Sequence, residues 1–75
     1  MNNERIILGI DPGTSIMGYG LISSAGKQPQ LITMGVLDLK KYNDHYLKLQ
    51  KIFSRTLQLI DEYHPDELSI EAPFF

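Results

Sequence analysis

Two acidic residues, Asp11 and Glu71, each follow a short apolar run of β type, Ile6 to Ile10 and Leu68 to Ile70, and each stands at that run's carboxyl end. If the two runs are parallel neighbours, their backbones lie about 4.8 Å apart, so carboxylates at matching ends of one face can share a cation. Hard cations such as magnesium take oxygen ligands and keep several waters, which suits two or more carboxylates completed by a phosphate. Such a site suits phosphodiester hydrolysis, in which a pair of ions about 3.5 to 4 Å apart activates a water and steadies the leaving oxygen. A blander account is available. Asp11 can start an Asx-turn at Asp11-Pro12-Gly13 and Glu71 can be a solvated strand end, and for two acids taken at random that account wins.

The elements that must position these acids are legible along the chain. Ile6 to Ile10 reads as a buried strand closed by Pro12-Gly13, a strong turn signal. Met17 to Ser23 is again strand-like, the segment from Ser24 to Pro29 is a polar turn, and a third strand runs from Gln30 to Leu39. Short connections make these three an antiparallel meander, since parallel neighbours need a crossover of a dozen or more residues. Between Asn43 and His64, Tyr46, Leu49, Phe53, Leu57 and Ile60 recur at three- and four-residue steps, the stripe of an amphipathic helix. Asn43 or Asp44 can cap its start, and Pro65 stops it at or before His64. Asp66 to Glu71 then reads as a fourth strand, with Leu68 and Ile70 facing opposite to Ser69 and Glu71, which the helical crossover allows to run parallel to an earlier one.

With 75 residues there is room for one domain, and 43% hydrophobic with 21% charged residues is ordinary for a globular chain. The absence of cysteine removes disulfides and thiolate metal sites. The polar start from Met1 to Arg5, and an apolar run broken by Gly9 and Asp11, exclude a signal peptide or membrane span, so a cytoplasmic location is expected. A net charge of −2 gives no general electrostatic reason to bind nucleic acid. The apolar end, Ala72 to Phe75, reads as an interruption of a domain.

The motifs discriminate better than composition. Gly9-Ile10-Asp11-Pro12-Gly13-Thr14, then Gly18-Tyr19-Gly20, then Ile70-Glu71-Ala72-Pro73-Phe74-Phe75 resemble the first two signature segments of the RuvC family of Holliday junction resolvases, in order, over essentially the entire chain. The resemblance implies an α/β, ribonuclease H-like fold in which residues 1–75 form the N-terminal part of a single nuclease domain. It implies that Asp11 and Glu71 are catalytic ligands of Mg2+, with Mn2+ as a substitute, and that a later acidic pair completes the site. No segment here matches that pair. The implied activity is symmetric cleavage of a four-way DNA junction by a homodimer that works with the RuvA-RuvB branch-migration complex in recombination and repair. Phe74 matches a family aromatic associated with the junction centre, where a ring can stack an unpaired base. The chain departs from the family in carrying Ala72-Pro73 where many members have a glutamine.

Gly18 and Gly20 share a strand face, where missing side chains can admit a DNA backbone near Asp11, although glycine in a strand also marks bulges and close backbone packing. His45 and His64 have no carboxylate neighbours of the catalytic kind and are read as structural, and Phe75 is left without a role. Lys48, Lys51 and Arg55 can touch phosphate, but a charged helix face is usually only solvated. Two other functions fit parts of the pattern. An actin-like or sugar-kinase-like nucleotide-binding domain also uses an Asp-x-Gly-Thr turn, but leaves Glu71 without a role. A RuvC-like module that has lost catalysis would bind nucleic acid without cutting it.

Overall fold

The computed structural model describes residues 4–13, 15–24 and 28–70. Its elements are β1 (Ile6–Asp11), β2 (Ile16–Ser23), β3 (Gln30–Asp38), α1 (His45–Tyr63) and β4 (Glu67–Ile70). They form one four-stranded sheet in the order β3-β2-β1-β4, with β1 antiparallel to β2, β2 antiparallel to β3, and β1 parallel to β4. The expected meander, helical crossover and parallel fourth strand are therefore present.

Local chemistry fixes the boundaries. Asp44 is the N-cap of α1, its Oδ1 accepting from the Tyr46 N–H at 2.9 Å. At the other end His64 takes a left-handed conformation with φ of 49°, and its N–H reaches the Ile60 carbonyl at 2.9 Å before Pro65 closes off further helix. Beyond that turn, Asp66 stitches β4 to the start of β1: its N–H donates to the Ile6 carbonyl at 2.7 Å, and its Oδ2 accepts the Ile6 N–H at 2.8 Å. Arg5 and Glu67 pair beside this stitch. These contacts set the parallel register Ile7↔Glu67 through Ile10↔Ile70.

The core is Leu8, Ile10, Met17, Leu21, Leu39 and Leu59, all on the side of the sheet that α1 covers or at its margin. Helix packing departs from the expectation in one respect. The residues of α1 turned to the sheet are Ile52, Leu59 and Tyr63, whereas the stripe Tyr46, Leu49, Phe53, Leu57 and Ile60 is exposed, Tyr46 by 83% and Phe53 by 65%. The apolar arc of α1 is wider than one contact face, and the two halves are centred about 100° apart, one residue's rotation. The exposed half borders a groove whose other wall is Leu68 and Ile70 of the edge strand β4.

An open β edge beside an apolar groove favours association. Solutions of the 75-residue chain should show a mass that rises with concentration in sedimentation; a constant monomer mass at high concentration would show that this edge is protected.

Candidate functional site

Asp11 is the last residue of β1 and is exposed. Strand alternation puts it on the sheet face opposite α1, since Leu8 and Ile10 point into the core. In the antiparallel register Asp11 stands opposite Gly18, and Gly9 opposite Gly20, so the acid sits at the end of a bare patch made by three glycines. Ser69 of β4, opposite Gly9, lines the same patch, and Met34 and Val36 of β3 form its far wall.

The glycines of this patch are not demanded by packing among the described residues. A Cβ placed on Gly9, Gly18 or Gly20 would meet nothing nearer than 3.8 Å, and on Gly18 the neighbour is the Asp11 Cβ at 3.9 Å. Gly13 is different: a Cβ there would come within 2.5 Å of the Ile16 carbonyl oxygen, a backbone atom, so the tight loop after Asp11 requires glycine. Gly35 yields its space to the Tyr19 ring across the β2–β3 pair.

Among the described residues Asp11 has no hydrogen-bond or ion-pair partner, and no group of three or more His, Cys, Asp or Glu is placed to hold a metal. Two other acids lie toward the same end of the sheet, and both are engaged. Asp38 Oδ1 accepts the Lys40 N–H at 2.9 Å, and Asp44 caps α1. Asp11 is thus a carboxylate at the carboxyl end of a central strand whose oxygens have no partner among the described residues. Its donor chemistry suits a hard cation, and one carboxylate falls short of a complete ligand set.

The β1–β4 register is described up to Ile10↔Ile70, one residue before Asp11 in one strand and one before Glu71 in the other. Glu71, Phe74 and Phe75 lie outside the described residues, as does Thr14 of the loop. Gly18 and Gly20 fall where the sequence places them, on the face of Asp11. His45 begins α1 and His64 caps its end, so the helix length separates them. No helix among the described residues is long and apolar enough to cross a membrane.

One feature escaped the sequence reading. Tyr42, half-buried against the core, has the Lys41 Nζ at 5.4 Å and the Lys51 Nζ at 5.7 Å from its ring centroid. The ring joins a loop lysine to one on the second turn of α1, and no periodicity reports such a contact.

The family model described as crossover junction endodeoxyribonuclease RuvC matches residues 7–75. A crossover junction endodeoxyribonuclease RuvC from Christiangramia forsetii is 63% identical over all 75 residues, and one from Thermosipho melanesiensis is 44% identical over 69 residues. The chain spans 39% of the first relative's length and 44% of the second's. Among solved structures, Thermus thermophilus RuvC superimposes with a TM-score of 0.81 at 25% identity, covering 93% of this chain and 44% of that one. The T. thermophilus RuvC in complex with Holliday junction substrate also gives 0.81, at 21% identity, and supports the fold. These matches favour the resolvase pattern over the nucleotide-binding one. With a family match that runs from Ile7 to the last residue, the chain belongs to the crossover junction endodeoxyribonuclease RuvC family.

Proposed function

We propose that this sequence is the Asp11- and Glu71-bearing part of a metal-dependent endonuclease that resolves Holliday junctions by symmetric phosphodiester hydrolysis. The observation that carries it is the position of Asp11, without a partner among the described residues at the carboxyl end of β1, with β4 running parallel beside it toward Glu71. The same register carried one step further would set the two carboxylates side by side. Their shared charge would hold Mg2+, or Mn2+ in its place, whose chemistry is to sharpen a water nucleophile and offset charge on the leaving oxygen. Asp11 and Glu71 would be the residues that hold that ion, and further acids supplied elsewhere in a protein of the relatives' length would complete the ligand set.

The glycine patch gives the DNA backbone room to approach. Gly18→Ala and Gly20→Ala should leave the melting temperature unchanged or slightly raised, since the added Cβ meets only ordinary contacts and alanine stiffens the unfolded chain. Each should nevertheless slow junction cleavage. Unchanged cleavage would assign the glycines to packing with other parts of the protein. Phe74 is assigned to stacking at the junction centre, and its replacement by alanine should weaken junction opening more than duplex binding.

A protein of the relatives' full length works as a homodimer, because two symmetric nicks need two sites, and it acts in the cytoplasm with the RuvA-RuvB branch-migration complex. The direct experiment is cleavage of a synthetic four-way junction with and without Mg2+. Paired symmetric nicks in the full-length protein, and none from the 75-residue chain, are expected. Junction binding without cutting by the full-length protein would assign it to non-catalytic binding instead.

A further inference from the structure

The chain's net charge of −2 conceals a strong segregation. Five of its seven Lys and Arg residues, namely Lys40, Lys41, Lys48, Lys51 and Arg55, lie between positions 40 and 55, against the single acid Asp44. At the opposite end of the molecule, where β1 and β4 begin and α1 finishes, Glu4, Asp61, Glu62, Asp66 and Glu67 gather.

The basic segment begins at the Asp11 end of the sheet. Asp38, the last residue of β3, is opposite Ile16, the first of β2, and the Leu39 N–H donates to the Ser15 carbonyl at 2.8 Å, in the segment that leads from Asp11 into β2. Lys40 and Lys41 follow at once. The partly buried Tyr42 ring has Lys41 and Lys51 beside it, both exposed, each ammonium within 5.7 Å of its centroid. Among the described residues neither has a carboxylate partner, and the nearest acids in sequence already bind backbone N–H groups. Two positive charges beside one ring, without a carboxylate partner among the described residues, raise the local positive potential and favour an anion there.

We infer that Lys41 and Lys51, arranged around Tyr42 and assisted by Lys40, form a phosphate-binding surface for the nucleic-acid backbone at the same end of the sheet as Asp11. This rests on the nuclease reading above. Lys40 and Lys41 follow the end of β3, two strands or about 10 Å across the sheet from β1, and Lys51 lies on α1, behind the face that carries Asp11. A polynucleotide carries a charge at every step, so a strand held at Asp11 offers further phosphates to basic residues that stand at the same end of the sheet.

The test is fluorescence anisotropy of the chain with a labelled duplex and a labelled four-way junction between 50 and 200 mM salt. Each phosphate contact contributes about 0.9 to the slope of log affinity against log salt, so Lys41→Gln with Lys51→Gln should flatten it by about 2. The loss should be alike for both DNAs, because phosphate contacts carry no sequence information. Lys41→Arg with Lys51→Arg should restore the slope. A slope unchanged in the glutamine variant, or a wild-type chain that binds neither DNA, overturns the surface. A flattened slope in a full-length protein that cannot cut junctions removes the nuclease reading and leaves the surface standing. Normal cutting with an unchanged slope does the reverse.

Discussion

Replacing Asp11 by asparagine in a protein of the relatives' full length is expected to lower junction cleavage by more than about 100-fold, since even partners behind a metal ligand cost 10- to 100-fold when removed. Glu71→Gln should do the same. Junction binding should change by no more than a few-fold, because one lost carboxylate leaves the basic residues and the sheet surface in place. The substitution is clean for a structural reason. Asp11 is exposed and has no hydrogen-bond or ion-pair partner among the described residues, so its amide breaks no contact among them. An Asp11→Asn protein that cut at the normal rate would remove the residue from the catalytic set.

The second large effect concerns stability. Leu8 is fully buried in β1, opposite Leu21 of β2 on one side and Leu68 of β4 on the other. Leu8→Ala should cost about 2 to 5 kcal/mol through lost burial and the cavity left behind. A domain of this size has only roughly 4 to 11 kcal/mol in total. The melting midpoint of the chain should therefore fall by at least about 10 °C. Phe53→Ala makes the matched control. Its ring lies on the exposed half of α1, so in dilute solution the change should stay within about 0.5 kcal/mol while self-association weakens. Equal losses from the two substitutions would mean that Phe53 packs in the core after all.

Most of the fold was legible in the sequence because local backbone chemistry marks it. Pro65 and Asp44 delimit α1, Pro12-Gly13 ends the first strand, and a crossover between β3 and β4 that contains the nineteen-residue α1 permits the parallel pairing that brings β4 beside β1. The packing face of α1 was not legible. Apolar residues cover two adjoining faces of that helix, and periodicity reports a stripe without saying which half meets the sheet. The placement of Asp11 followed from strand alternation, whereas the Lys41–Tyr42–Lys51 grouping depends on how the loop after β3 folds back on α1. A net charge summed over the chain likewise erased the segregation of bases from acids.

The central claim is that Asp11 and Glu71 hold one divalent ion at the carboxyl ends of β1 and β4, and the most direct measurement is Mn2+ titration of the 15N-labelled chain with amide line broadening as the readout. The account predicts that Asp11, Gly18, Ile70 and Glu71 broaden first and that Asp11→Asn abolishes the effect. Broadening centred instead on Asp61, Glu62, Asp66 and Glu67, or persisting unchanged in Asp11→Asn, would contradict it.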